Sequence, residues 1–395
     1  MIRKILELIL LTILAILSYI IPKKKWLYIF GGHWWKSFSW NSKAFYLHLK
    51  NKEYKNIYYF LSNYKSLLNL KKILNNNVKF ELVGTLKSLY LFLRAEYIFL
   101  DASPQNILPL KQLYIYFWNF KTMLLWHGDG FKKLENFKIN TLQERFSFFL
   151  YKLYCKTILF WVTGNDFNKK IWSEAFLWVE FKKLWLPRYD IFTNKKLQIF
   201  INNIKEDLQL NKFSKLILYA PTWRDRNKFW EDKLISDKWL EKINNICKKN
   251  NCLFLIKPHP NQKLKLYKSF SNIKILISFP YDVEELLALT DILITDYSSI
   301  FVDFMIKNNN PILFYMPDYK HYFQIDKWKY LKQYINTLYP KNYLYFTEKD
   351  FIIWLSKLLS NKEIYQYQEL SKLKRYLLQV HYNCCDNLYK IIKST

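Results

Sequence analysis

Apolar and polar positions along this chain fall into two recurring kinds of block. Mostly apolar runs of four to six residues recur at 26–30, 57–61, 97–100, 122–126 and 157–162. They return at 216–219, 252–256, 273–277, 292–295 and 312–315. Between them lie Lys-rich stretches, such as 86–94, in which apolar residues come back every three or four positions. A short apolar run closed by turn residues fits a buried strand, and a helical period between two runs supplies a crossover. The alternation therefore predicts βα units and parallel sheets. Gly31-Gly32 closes the first run as a turn. Asp282-Val283-Glu284-Glu285, ahead of an apolar stretch at 286–289, has the form of a helix capping box.

Pro187-Arg188-Tyr189-Asp190 interrupts the alternation and is the natural boundary between two halves. The expected fold is α/β and GT-B-like: two doubly wound Rossmann-type halves, 23–186 and 187–375, facing each other across a cleft. An apolar helix at 1–22 precedes them and a helix at 376–395 closes the chain. The first half is expected to carry the acceptor and the base, the second the nucleotide donor. In such sheets ligands bind beyond the carboxyl ends of the strands, so the loops there are where chemistry is sought.

The segment 5–21 is apolar apart from Glu7, Thr12 and Ser18, with Arg3 and Lys4 before it and Lys23, Lys24 and Lys25 after it. At this length it is at the short limit for a membrane span. It lacks the small-residue cleavage site of a removed signal peptide. Basic residues on both flanks suit a helix lying in the anionic cytoplasmic leaflet, where each gains ~1 kcal/mol. The alternative is a first helix buried in the fold. Peripheral or monotopic attachment to the cytoplasmic face of the membrane is the expectation.

Composition modifies this picture in three ways. Of 395 residues, 51% are apolar and 19% aromatic, enough for two sizeable cores. The formal charge of +29 points to an anionic partner. Part of it is compositional, because 54 of the 61 basic residues are Lys and Asn, Ile and Tyr are also abundant, the skew of an AT-rich coding sequence. The Lys are spread rather than blocked, which argues for an anionic membrane surface or substrate and against nucleic acid. Five Cys, at 155, 247, 252, 384 and 385, fit no zinc spacing and no disulfide framework. They are expected to be buried or free in a reducing compartment.

Four loops follow predicted strands. Trp126-His127-Gly128-Asp129-Gly130 places a His between a strand end and flexible backbone, so His127 is a candidate general base or else a structural turn residue. Tyr219-Ala220-Pro221-Thr222-Trp223-Arg224-Asp225-Arg226 concentrates arginine. Only seven Arg occur in the chain, and Arg188, Arg224 and Arg226 fall in these segments. The planar guanidinium fork suits phosphate, although Arg226 is equally suited to a salt bridge with Asp225. Ile256-Lys257-Pro258-His259-Pro260 presents Lys257 and His259 on a loop stiffened by proline, either to meet a pyrophosphate or simply as a rigid turn. Ile294-Thr295-Asp296-Tyr297-Ser298-Ser299-Ile300 opens a helical run containing Asp303. Ser298 and Ser299 there are helix caps or part of an anion site. No Walker loop, dinucleotide fingerprint or metal-binding spacing occurs, and neither a metal nor a cofactor is implied.

Taken in this order, the four loops resemble the CDP-glycerol:poly(glycerophosphate) glycerophosphotransferase family of teichoic acid and capsule synthesis. The resemblance runs from Trp26 into the 320s and is densest at 218–225, at 282–303 and at Pro311-Ile312-Leu313-Phe314. It implies a GT-B fold, monotopic membrane association, and transfer of a polyol phosphate from a CDP-activated donor to a polymer or lipid-linked hydroxyl. By resemblance His127 is the base and His259 the second catalytic His. By the same resemblance Arg224, Lys257, Ser298, Ser299 and Asp303 match the donor-site positions, and Arg188, Thr222 and Asp296 are further donor-binding candidates. The family usually reads Trp-His-Gly-Thr-Pro where this chain has Asp129-Gly130 after the Gly, so polyol-phosphate transfer is better supported than glycerol phosphate in particular. Two rival readings stand beside it. One is a GT-B glycosyltransferase moving a sugar from a nucleotide sugar; the other is a non-catalytic membrane-bound binder of polyanions.

Overall fold

The computed structural model describes residues 2–32, 35–74, 78–102, 119, 121–126, 128, 140–176, 179–193, 199–222, 235–258, 268–276, 282–307, 310–322, 335–341, 344–360, 368–379 and 383–394. It divides into two compact units. One holds the chain as far as Asp190 and again from 380 onward; the other is Ile191–Gln379.

The first unit is built on a seven-stranded parallel sheet of order β3-β2-β1-β4-β5-β6-β7. Its strands are β1 (Lys24–Gly31), β2 (Ile57–Leu61), β3 (Phe80–Leu82), β4 (Ala95–Leu100), β5 (Lys121–Leu124), β6 (Ile158–Thr163) and β7 (Phe181–Lys183). The helices are α1 (Ile2–Ile20), α2 (Trp40–Asn51), α3 (Tyr64–Ile73), α4 (Leu86–Arg94), α5 (Leu142–Thr157) and α6 (Asp166–Ala175). Asn63, Thr85, Thr141 and Asn165 cap α3 to α6, each side chain accepting an N–H from three residues on. The central strands end in fully buried residues, so their apolar runs read continuously rather than alternately.

The second unit has a six-stranded parallel sheet of order β10-β9-β8-β11-β12-β13. Here β8 is Lys215–Tyr219, β9 Cys252–Ile256, β10 Ile273–Ile275, β11 Ile292–Thr295, β12 Ile312–Tyr315 and β13 Leu344–Tyr345. Its longer helices are α7 (Ile199–Asp207), α8 (Asp237–Lys249), α9 (Val283–Leu289), α10 (Ile300–Ile306), α11 (Glu348–Leu359) and α12 (Gln368–Leu377). The capping box anticipated at Asp282 and Glu285 is formed and starts α9.

Three of these strands, β3, β7 and β13, are absent from the sequence reading, and all three are edge strands. An edge strand pairs on one side only and is partly exposed, so two or three residues suffice and no apolar run is required. The terminal helix also differs from its expectation at 376–395. The chain breaks after α12 and restarts as α13 (Cys384–Ser394), which belongs to the first unit rather than to the second.

That return has a visible cause. The buried carboxylate of Asp190 accepts the backbone N–H of Cys384 at 2.9 Å and of Cys385 at 3.0 Å, the first groups of α13. A carboxylate at a helix N-terminus satisfies free donors and meets the positive end of the helix dipole. Asp190 lies in the 3₁₀ helix Pro187–Phe192, and the first unit therefore ends at Asp190 rather than at 186.

Among the described residues no helix is long and apolar enough to cross a membrane. On α1 the residues Ile9, Ile13, Ile16 and Ile20 are exposed, whereas Leu14 and Ser18 are buried. The exposed four are spaced by four, three and four, so they form one stripe on the side facing away from the fold. Helix α4 packs on α1 and exposes Leu86 and Tyr90, themselves one turn apart.

Candidate active site

In each sheet the strand order reverses once, between β1 and β4 and between β8 and β11. A reversal splays the two following loops to opposite faces and leaves a crevice at the carboxyl ends of the strands. In the second unit the loops leaving β8 and β11 are those singled out for their chemistry.

These two exits are latched together. The Ala220 N–H donates to the Ile294 carbonyl at 2.9 Å, and the Thr295 hydroxyl donates to the Ala220 carbonyl at 2.8 Å. Two residues after Ala220, the Thr222 N–H donates to Asp296 Oδ1 at 2.8 Å, and the Thr222 hydroxyl donates to the same oxygen. Asp296 is fully buried. Its carboxylate thus fixes where the chain leaves β8, immediately before Trp223 and Arg224. Tyr297 stacks on Tyr322 with centroids 3.7 Å apart and donates from its hydroxyl to Asp318 Oδ1 at 3.2 Å, which secures the β11 exit from the other side.

Ser298 and Ser299 turn the chain from β11 into α10. The Ile300 N–H donates to Ser298 Oγ at 3.3 Å, so Ser298 is the hydroxyl that caps, while Ser299 occupies the N-cap position with helical backbone angles and makes no side-chain cap. Both are half-buried. Asp303 is buried one turn into α10.

Lys257 follows β9, the neighbour of β8, and its N–H donates to the Tyr219 carbonyl at 2.9 Å. Burial holds its ammonium below the usual Lys range, and the carboxylate of Asp282 partly opposes the shift. A half-buried ammonium that has lost part of its hydration gains from an anion placed beside it, as a phosphate would be.

In the first unit β5 ends at Leu124, two residues before Trp126. Trp126 has φ of 58°, a left-handed conformation that is strained for a Trp. Its ring is held among Trp161, Trp172 and Phe176, with centroids 4.6, 5.9 and 6.1 Å away. Gly128 follows at φ 156°, where a side chain would be disfavoured. His127, Asp129, Arg224, Arg226 and His259 lie outside the described residues. Arg188 is described and belongs to the first unit, where its side chain is buried and its guanidinium lies 5.3 Å from the Tyr189 ring centre. The sequence reading had set it in the donor half, because the Pro at 187 looked like the boundary.

Two buried polar residues of the first unit escaped that reading. Asn41 and Asp101 stand at the β1/β4 reversal and are fully buried. Asp101 accepts from the Ser42 N–H at 2.9 Å and from the Ser42 hydroxyl at 2.5 Å, and so anchors the start of α2. The available signal was a carboxylate ending the apolar run of β4. Among the described residues no group of His, Cys, Asp and Glu is placed to hold a metal.

Two parallel sheets, each with one order reversal, and a latched loop pair at the second reversal with Lys257 on the neighbouring strand exit fit a GT-B-like α/β transferase. The chain belongs to the CDP-glycerol:poly(glycerophosphate) glycerophosphotransferase family, whose sequence model matches residues 13–390. It is 30% identical over 328 residues to the teichoic acid poly(glycerol phosphate) polymerase of Bacillus spizizenii, covering 77% of each chain. It is 26% identical over 238 residues to the teichoic acid ribitol-phosphate polymerase TarL of Staphylococcus aureus, covering 59% of this chain and 41% of that one. The fold matches the wall teichoic acid polymerase TagF with a TM-score of 0.72 at 20% identity, covering 100% of this chain and 97% of that chain.

Proposed function

We propose that the chain moves glycerol phosphate, or a related polyol phosphate, from a CDP-activated donor to a hydroxyl of a polymer or lipid-linked acceptor and releases CMP. The observation that carries this reading is the β8–β11 latch, with Lys257 half-buried on the adjacent strand exit. The donor pyrophosphate is assigned to Lys257, the Ser298-Ser299 turn, Thr222, Arg224 and His259. Asp296 serves that site by holding Thr222. Asp303, buried in α10, is assigned to the donor side with it, and Arg188 is kept as a donor-site candidate on sequence grounds alone. His127, on the first unit, takes the proton of the acceptor hydroxyl as that oxygen attacks the phosphorus bearing the polyol. The new O–P bond forms as the bond to CMP breaks, and CMP leaves with the electron pair. Phosphoryl transfer asks for positioning and charge stabilisation more than covalent chemistry, so cations and one base suffice.

Attachment to the cytoplasmic face of the membrane belongs to the same proposal. The exposed stripe of α1, with basic residues before and after it in the sequence, offers lipid an apolar surface, and α4, which packs on α1, exposes Leu86 and Tyr90. The choice between glycerol and another polyol rests on the Asp129-Gly130 departure and on relatives that carry names of both kinds.

The test is CMP release by detergent-solubilised protein, given CDP-glycerol, CDP-ribitol and UDP- or GDP-sugars in turn, with a membrane fraction as acceptor. CMP is expected from a CDP-polyol only, and His127→Ala is expected to slow it by roughly 10²–10⁴. Release of UDP or GDP from a nucleotide sugar, with no CMP from either CDP-polyol, would instead establish a glycosyltransferase. Salt-sensitive binding of any polyanion without turnover would establish a binding protein.

A further inference from the structure

We propose that Asn41 is a positioning residue for the transfer reaction, acting through the strand exit that leads into His127. The proposal rests on the reading of His127 as the base. Asn41 is the second residue of α2 and is fully buried. Its amide nitrogen donates to the Leu125 carbonyl at 3.0 Å and to the Trp126 carbonyl at 2.6 Å. Its amide oxygen accepts the Arg188 N–H at 3.0 Å. Carbonyls only accept and a backbone N–H only donates, so the amide has one orientation that satisfies all three groups.

The placement is specific in three respects. Leu125 and Trp126 are the two residues before His127, just past the end of β5, and the Leu125 N–H reaches the Leu100 carbonyl at 2.8 Å. Trp126 sits in a strained left-handed conformation, which persists only where its surroundings over-determine it. The aromatic cage holds its ring and Asn41 holds its carbonyl. Asn41 is itself fixed, because Ser42, the next residue, is clamped to Asp101 by both its N–H and its hydroxyl. A chain of hydrogen bonds, buried as far as Leu125 and partly buried at Trp126, therefore runs from the β4 exit, through the start of α2, to the carbonyl before the candidate base. The third bond ties the same amide to Arg188, two positions before Asp190, where the first unit ends.

Nothing in this arrangement needs Asn41 to touch substrate. Its effect is on the aim of the residue that follows, where a displacement of about 1 Å costs roughly 10²-fold in rate. Asn41→Ala removes all three bonds. Asn41→Asp keeps the shape and the acceptor for Arg188 but, when ionised, removes both donors to the β5 exit.

The experiment measures CMP release and CDP-glycerol affinity for the full chain carrying Asn41→Ala, Asn41→Asp, His127→Ala, or His127→Ala with Asn41→Ala. Both Asn41 variants are expected to lower kcat by roughly 10²-fold while KM and Kd for CDP-glycerol stay within about threefold. On the His127→Ala background, Asn41→Ala is expected to change the residual rate by less than about threefold, because the aim of an absent imidazole has no consequence. Wild-type kcat in either single Asn41 variant would overturn the proposal. So would an undiminished loss on the His127→Ala background, or loss of donor binding and folding in both Asn41 variants, which would make the amide a folding residue only. Full activity of His127→Ala alone would instead remove the reading on which the proposal stands.

Discussion

Replacing Asp190 by Asn takes away the charge that holds the start of α13 and leaves the residue's shape intact. Two backbone N–H groups point at the carboxylate, and hydrogen bonds to a charged acceptor are worth about 1.5–3 kcal/mol each. The amide of Asn offers one neutral acceptor, worth about 1 kcal/mol, and turns its own N–H₂ towards the other donor. The net loss is on the order of 2–4 kcal/mol, localised at one helix. The substitution leaves the rest of α13's hold in place, namely its buried face of Cys384, Cys385, Leu388 and Ile392 and a few polar contacts. The Tyr54 hydroxyl donates to that of Tyr389 at 3.3 Å, and Asp386 lies 3.0 Å from Lys52 and 3.4 Å from His48 at a partly exposed surface. Opening of α13 is therefore expected to become more frequent by roughly 30- to 700-fold, at about 1.4 kcal/mol per tenfold. The chain carries its own reporters. Cys384 and Cys385 are buried, and burial, reinforced by the Asp190 charge, pushes both thiols well above the ordinary range, so neither reacts in the closed state. Alkylation kinetics read by mass spectrometry should show these two thiols labelled faster by that factor. Cys155 in the first unit and Cys247 and Cys252 in the second, all buried, should keep their wild-type rates. Equal acceleration at Cys155 would mean that the whole unit had loosened. Unchanged rates at Cys384 and Cys385 would refute the argument that the carboxylate holds the helix.

Lys257 is held below 10.5 chiefly by burial, so between its lowered value and 10.5 the unfolded chain binds more protons and stability rises with pH. Lys257→Met should flatten that rise in thermal melts taken from neutral to alkaline pH, and should weaken CDP-glycerol binding by roughly tenfold or more, the worth of one charge-assisted hydrogen bond; wild-type affinity would remove Lys257 from the donor site. The proposed docking of α1 on lipid would bury four exposed isoleucines, at about 1.5–3 kcal/mol each on full burial. Ile13→Asp with Ile16→Asp should therefore abolish co-flotation with anionic vesicles while leaving the melting temperature unchanged, and persistent flotation would count against the stripe.

Legibility in the sequence followed burial. Strands in the middle of each sheet are covered on both faces and must be continuously apolar, which is why 57–61 and 252–256 were read with the bounds the structure gives them. Strand β13, two half-buried residues at a sheet edge, carries no such requirement and leaves no pattern. The Asp282 capping box was legible because a cap is a local device with fixed spacing. The bond from Asp190 to α13 was not, because it joins residues 194 apart and either partner alone looks ordinary.

The same distinction separates the visible half of the site from the hidden one. Residues offered to a ligand stand out by type, as an Arg does in a chain that otherwise uses Lys. Residues that hold the loops in place do so by satisfying backbone groups that a strand leaves unpaired where it ends. Asn41 does this at the β5 exit and Asp296 at the β8 exit, each reaching across from a neighbouring element. Both are fully buried, and both hold the segment one or two residues before a candidate catalytic or donor-binding residue. The two units thus use one solution for one problem. A loop that must present a side chain to solvent cannot be fixed by packing that side chain, so its backbone is fixed from beneath instead.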